Sequence, residues 1–211
     1  MQVLVTGASG LIGRALLPRL ASGGHTVVSA VRREPRGSNE RRWDPSAGTL
    51  QDGFFDGIDA VIHLAGAGIG DKRWTDAYKK EILESRTKGT ALLAEGMAAA
   101  AVKPRVFLSG SAIGIYGASD DTELDETSGH GSGFLADVCA QWESATQAAE
   151  AAGIRTVHLR TGIVLSRDGG ALKKQLPLFA LGAGGKFGNG RQWQSWISIE
   201  DEVGAIIHLL D

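Results

Sequence analysis

Cysteine is almost missing from this chain: Cys139 stands alone among 211 residues. That excludes an intramolecular disulfide and points to a reducing compartment. No apolar run approaches the ~20 residues needed to span a bilayer. No basic leader or cleavage site precedes the strand pattern that starts at Gln2, so a cytoplasmic protein with no membrane partner is expected. A basic surplus is lacking too. Lys and Arg number 22 against 24 Asp and Glu, for a formal net charge of -2, which argues against a nucleic-acid partner. The five histidines (His25, His63, His130, His158, His208) show no ligand spacing, so no metal site is expected. Tyrosine is scarce as well, with only Tyr78 and Tyr116.

What is present reads as an ordinary soluble domain, 43% hydrophobic and 22% charged. The length allows one good-sized core, or one domain with a small appendage. Val3 to Val5 is a short β-branched run suited to a strand buried on both faces. Leu11, Ile12, Ala15, Leu16 and Leu20 then recur at helical spacing, and Gly23-Gly24 offers a left-handed cap. Further strands are expected at Thr26 to Val31, Asp59 to Leu64, Arg105 to Ser109 and Thr156 to Leu159. Thr75 is placed to cap a helix running to about Ala101. Leu135, Val138, Trp142, Ala145 and Ala149 make one face of another helix, ended by Gly153. Strands alternating with helices imply a doubly wound parallel α/β sheet. The expected division is a Rossmann-like domain over 1–165 and, over 166–211, a glycine-punctuated start of a substrate lobe and return to the sheet.

The sharpest motif is T-G-A-S-G-L-I-G at Thr6 to Gly13. It sets Gly7, Gly10 and Gly13 between a strand and an amphipathic helix. Gly7 permits the tight turn, Gly10 lets backbone approach a pyrophosphate, and Gly13 lets helix and strand pack closely. The helix N-terminus offers unpaired N–H groups and a positive dipole end to the anion. Strand before, helix after and an N-terminal position make the triplet specific. Where NAD enzymes usually carry an acid at the end of strand two, this chain carries Arg32-Arg33. Two cations there suit the 2′-phosphate of NADP better than NAD, although a solvated charge pair has the same sequence. Asp44 has two readings also, as a partner of the adenine amino group or as a turn residue before Pro45.

These residues resemble the extended, atypical branch of the short-chain dehydrogenase/reductases, which includes the nucleotide-sugar epimerases. H-L-A-G at His63 to Gly66, L-S-G-S-A-I-G-I-Y-G at Leu108 to Gly117 and R-T-G-I-V-L at Arg160 to Leu165 resemble segments of that branch. W-I-S-I-E-D at Trp196 to Asp201 is similar to a later motif, with Ser198 and Glu200 as departures. K-R-W-T at Lys72, S-R-T-K-G-T at Ser85, F-L-A-D-V-C-A-Q-W-E at Phe134, G-G-A-L at Gly169 and G-R-Q-W-Q-S-W at Gly190 resemble one subset, the epimerase family proteins or sugar-nucleotide epimerases of bacteria and organelles. Members of that subset continue into a further C-terminal segment, so the resemblance implies a substrate lobe cut short at Asp211. It also implies cofactor contacts from Ser9, Leu11 and Ile12, from Leu64, Ala65 and Gly66, from Arg86 and Ser109, and from Thr161, Gly162 and Val164. Lys72, Arg73, Arg191 and Trp193 fall in segments implied to meet a small-molecule substrate such as a nucleotide sugar. A monomer or a homodimer both fit that family.

One family feature is missing. The superfamily moves its proton with a Tyr-x-x-x-Lys pair, but Tyr78 is followed at that spacing by Ile82 and Tyr116 by Asp120. Phe134 to Cys139 stands at the expected place, and neither Phe nor Leu moves a proton. Ser111 aligns with the catalytic serine, with backbone satisfaction at a strand end as its other reading. Tyr116 is the remaining candidate proton donor, and Lys72, Arg73, Arg86 and Arg191 are the candidate cations to activate it. Asp137 and Cys139 fall on the helix expected to face the cofactor, where Cys139 also reads as a small core residue. Trp193 and Trp196, near Asn189 and Arg191, read as a stacking surface or as packing. Arg160 has the further reading of pairing with an acid to hold its loop. Two functions therefore stand: an NADP-dependent oxidoreductase or epimerase, and a non-catalytic NADP-binding sensor or assembly protein.

Overall fold

The computed structural model describes residues 1–186 and 188–211. Its elements are β1 (Gln2–Thr6), α1 (Leu11–Ser22), β2 (Thr26–Val31), β3 (Glu40–Asp44), β4 (Thr49–Leu50), β5 (Ala60–His63), α2 (Asp76–Ala99) and β6 (Val106–Ala112). They continue with a 3-10 turn (Ile113–Tyr116), α3 (Phe134–Ser144), α4 (Gln147–Ala151), β7 (Arg155–Thr161), β8 (Ile163–Leu165), α5 (Gly170–Ala180), β9 (Trp196–Ser198) and α6 (Ile199–His208). The main sheet has the order β4-β3-β2-β1-β5-β6-β7, parallel except for the β3–β4 pair. β8 and β9 form a separate parallel pair. This is a Rossmann-like sheet with helices on both faces.

Strand alternation decides which helix goes where. Val3 and Val5 point to one face and meet Leu16 and Leu20 of α1 and Val203 and Ile206 of α6. Leu4, between them, points to the other face, with Trp43, Val61, Phe107, Leu93 and Met97 of α2 and Ala149 of α4. α6 therefore packs on the main core, whereas α5 buries none of its side chains. Among the described residues no helix is long and apolar enough to cross a membrane.

The caps follow local chemistry. The Thr75 hydroxyl accepts from the Tyr78 N–H at 3.2 Å and starts α2. After α1 it is Gly24, at φ +80°, that takes the left-handed conformation. The expected helix face from Leu135 to Ala149 is split in two. Fully buried Thr146 puts its hydroxyl 2.6 Å from the Glu143 carbonyl and 2.5 Å from a Glu150 carboxylate oxygen, and the helix breaks there. β6 and β7 run longer than their apolar cores, Arg105 to Ser109 and Thr156 to Leu159, because Ser111↔Arg160 and Ala112↔Thr161 continue the register. β3 carries Glu40-Arg41-Arg42, a charged run whose strand character comes from pairing with β2 rather than from apolar content.

Candidate functional site

Gly7 turns the chain at φ +69°, and the Gly10 N–H closes the turn on the Gly7 carbonyl at 2.9 Å. A Cβ on Gly7 would lie 2.7 Å from the Leu64 carbonyl group, so the turn is pressed against the end of β5. A Cβ on Gly13 would lie 2.4 Å from the Gly7 carbonyl oxygen. No side chain fits at either place. α1 starts at Gly10 with no side-chain cap and no acid in its first turn. Its first N–H groups and positive dipole end are therefore left without a capping side chain.

Behind the turn, Thr6 Oγ1 accepts from the N–H groups of Leu64 and Ala65 at 3.2 and 3.3 Å. Its own proton goes to His63 Nδ1, 2.6 Å away. That fixes His63 as the neutral tautomer with hydrogen on Nε2, which finds no partner among the described residues. His63 is fully buried, with its ring edge-on to Trp43, and burial pushes its pKa down to about 3. Sequence reasoning set His63 aside as one scattered histidine. Its neighbour Thr6 in the glycine motif was the available signal.

A cavity of about 1130 Å³ opens beside the turn. Gly7–Gly10, the end of β2 from Ser29 to Arg33, Trp43, Leu64–Ala67 and the α2 side chains Lys80, Ser85 and Lys88 line it. The two arginines separate here. Arg33 grips Glu40 through two bonds of 2.5 and 2.7 Å, and these, with the Arg36 N–H, hold the Glu40 carboxyl at about 2. Arg32 is exposed and forms no hydrogen bond or ion pair among the described residues. Asp44 uses Oδ1 in its own turn, accepting there from the Ser46 hydroxyl and from the N–H groups of Ser46 and Ala47 at 2.9 and 3.1 Å. The turn reading is thus formed by Oδ1, and Oδ2 has no hydrogen-bond partner among the described residues.

On the other side of β1, β5, β6 and β7 bring a second group together. Ser111 on β6 is buried and donates to Glu143 Oε1 on α3 at 2.6 Å. Arg160, the register partner of Ser111 on β7, grips both Glu143 oxygens at 2.9 Å. Burial works against charge on Glu143, but the hydrogen bonds from Arg160 and Ser111 outweigh it and hold the carboxyl below its ordinary range. Arg160 Nη1 also donates to the Tyr116 hydroxyl at 2.9 Å, with the guanidinium 5.3 Å from that ring. The cation beside Tyr116 is thus Arg160 and none of the four expected ones. Lys72 pairs with Glu81 at 3.0 Å, Arg73 is exposed, Arg86 lies over Trp142, and Arg191 is exposed in its own loop. Adjacent parallel strands, not sequence proximity, put Arg160 there.

Arg86 of α2 sits between the two groups. Its Nη1 donates to the Ala67 and Ile82 carbonyls at 2.9 and 3.0 Å, and its guanidinium is 5.0 Å from the Trp142 ring. At the start of α3, Phe134 packs edge-on to Trp74, and burial pushes the Cys139 thiol up. Ser109 is fully buried in β6. Thr161 donates to the buried Glu202 carboxyl at 2.8 Å, and burial pushes that carboxyl up. A Cβ on Gly162 would lie 2.8 Å from the Ser195 carbonyl oxygen, and Val164 pairs with Ile197. Trp193 is exposed and donates its indole N–H to Asp121 at 2.7 Å, tying two loops together. A second hollow, of about 720 Å³, runs along β7 between Tyr116, Ser195–Ile197 and α6.

A glycine turn pressed on a β1–β5 crevice, with a cavity at its mouth, defines a Rossmann-fold protein with a dinucleotide-type phosphate turn. Comparison with known proteins carries this further. The profile of the NAD dependent epimerase/dehydratase family matches residues 3–211. The epimerase family protein Mb2239 of Mycobacterium bovis is 43% identical over 204 residues, which are 97% of this chain and 67% of that protein. The crystal structure of a nucleoside-diphosphate sugar epimerase from Corynebacterium glutamicum is 41% identical with a TM-score of 0.87, covering all of this chain and 43% of that one. The human epimerase family protein SDR39U1, solved with NADPH, is 35% identical with a TM-score of 0.88, covering all of this chain and 70% of that one. This chain therefore belongs to the NAD dependent epimerase/dehydratase family, within its epimerase family proteins. It spans about two thirds of the length of the Mycobacterium bovis and human relatives and less than half of the Corynebacterium glutamicum one.

Proposed function

We propose that this chain binds NADP in preference to NAD and forms the cofactor-binding part of an atypical short-chain oxidoreductase or sugar-nucleotide epimerase. The observation that carries this is the Gly7–Gly13 turn, closed to any side chain, opening on a cavity bordered by the unpaired Arg32. The N–H groups of α1 would hold the pyrophosphate. Arg32 would hold the 2′-phosphate, the group that NAD lacks, with a charge-assisted bond. Leu64–Ala67 would floor the crevice. NADP supplies hydride chemistry when bound.

The remaining roles fall to the chain itself. Ser111 gives its proton to Glu143, so it presents a lone pair to a substrate hydroxyl. Tyr116 accepts from Arg160 and keeps its own O–H to donate. A small polar substrate, a nucleotide sugar among them, fits this pairing. Titration of the purified protein with NADPH and NADH, alongside Arg32→Ala/Arg33→Ala, tests the reading. Tighter NADPH binding, lost selectively in the double variant, supports it. Absence of saturable binding of either nucleotide overturns it.

A second reading, non-catalytic NADP binding, draws on the apolar contact that fills the place of the Tyr-x-x-x-Lys pair, Phe134 against Trp74. It requires that Ser111→Ala leave both cofactor affinity and biological activity intact. A cellular defect caused by that substitution alone would sink it.

A further inference from the structure

Arg86 is the largely buried cation that the proposed chemistry leaves unused. Among the described residues no carboxylate pairs with it. Its polar contacts are two main-chain carbonyls, both through Nη1, and the face of Trp142. The neighbouring groups do not offset the charge. Cys139 carries a thiol that burial keeps neutral, and the Tyr78 hydroxyl is spent on the Gly68 carbonyl. Burial lowers the Arg86 pKa, but a guanidinium stays protonated at neutral pH. A full positive charge is therefore held in a region of low dielectric, where it acts strongly on other charges.

Its place in the crevice follows from a chain of contacts. Gly7 abuts Leu64 and Ala65, and a Cβ on Gly66 would lie 3.5 Å from the Arg86 guanidinium carbon. The cavity runs from Arg32 and Trp43 at its β2 end to Leu64–Ala67 at its β5 end, and the β2 end is the adenosine end. The nicotinamide half then lies on the β5–β6 side, where Gly66 and Arg86 are. NADP+ and NADPH share every phosphate and differ by one positive charge, on the nicotinamide ring. A fixed cation on that side repels the oxidised ring and leaves the reduced ring untouched.

We propose that Arg86 makes this site select NADPH over NADP+, by placing an uncompensated guanidinium on the nicotinamide side of the crevice. The inference rests on the cofactor reading above. Tighter binding of the reduced form makes the bound nicotinamide a better hydride acceptor, by about 30 mV for a tenfold affinity ratio. The device therefore favours oxidation of a substrate hydroxyl, with hydride passing to the ring and the hydroxyl proton passing to Ser111 Oγ as the Ser111 proton moves to Glu143 Oε1. That direction agrees with a Ser111 whose free lone pair meets a hydroxyl.

Calorimetric titration with NADPH and NADP+ of the wild type, Arg86→Lys and Arg86→Gln tests it. The wild type is expected to bind NADPH about tenfold tighter, the order given by a unit charge several ångströms away at intermediate dielectric. Arg86→Lys is expected to keep most of that ratio, and Arg86→Gln to bring it near unity. A wild-type ratio within twofold overturns the proposal, as does a ratio that survives in a folded Arg86→Gln. Should Arg86→Gln fail to fold, the wild-type and Arg86→Lys ratios decide, and a ratio lost in a folded Arg86→Lys counts against a pure charge effect and overturns it. Absence of binding by either form removes the cofactor reading along with this one. Equal binding by both removes this one alone.

Discussion

The Ser111 hydroxyl donates to Glu143 across 2.6 Å, and the same carboxylate holds Arg160 with both its oxygens. The two contacts differ in what they sustain. Ser111→Ala deletes one bond to a carboxylate that keeps its cation, so stability should fall by only about 1 kcal/mol. Glu143→Ala strands Arg160, whose side chain is 23% exposed, and should cost about 2–3 kcal/mol. Thermal melts check the contrast, with an expected drop of roughly 5–10 °C for Glu143→Ala and little for Ser111→Ala.

Arg32 and Arg33 should prove unequal. Arg33 is already neutralised by Glu40, whereas Arg32 has no partner among the described residues to leave. Arg32→Ala is expected to reduce the NADPH-over-NADH preference by about tenfold, the worth of one charge-assisted bond. Arg33→Ala should reduce it by less, and fluorescence titration of the single variants separates them. Equal losses in both would show that Glu40 releases Arg33 on binding.

Stability should fall in mild acid because of His63. Its ring stays neutral in the folded chain down to about 3, while an unfolded histidine takes up a proton near 6.5. Below 6.5 the unfolded state thus binds the extra proton, and folding weakens as pH falls until about 3. At pH 5 the cost is about 2 kcal/mol relative to neutral pH. Urea midpoints at pH 7 and pH 5 measure it. A His63→Asn variant, less stable overall, should show a flatter dependence.

Gly13→Ala is the direct probe of the turn. Its new methyl would meet the backbone of Gly7 and Ala8 at 2.4 and 2.8 Å, and backbone cannot swing aside as a side chain can. A destabilisation of about 1–3 kcal/mol is expected, with a loss of NADPH affinity greater than the loss of stability accounts for.

The main sheet and its phosphate turn were legible because they depend on local signals: β-branched runs, glycine spacing, the Thr75 cap. Elements defined by pairing were not. β3 reads as a charged loop until β2 lies beside it, and the break at Thr146 depends on Glu150 and His158 reaching one hydroxyl. The same divide runs through the site. Gly7 to Gly13 could be assigned roles from spacing alone, but the cation for Tyr116 could not. Arg160 is 44 residues away in sequence and arrives through strand order. Charge pairing was equally invisible, so Arg32 and Arg33 looked alike until Glu40 was seen to hold one of them.

β7 pairs with β6 along all seven of its residues and has no second strand beside it among the described residues. Its outer rim faces a hollow walled by Ser195–Ile197 and α6, and it presents there the backbone donors and acceptors that no strand pairs among the described residues. Such a rim accepts any extended segment of matching length, from its own kind or another. Colloidal behaviour follows from this. Self-association should rise with protein concentration and should yield to mild chaotropes sooner than to salt, because the adhesive element is peptide hydrogen bonding and not charge.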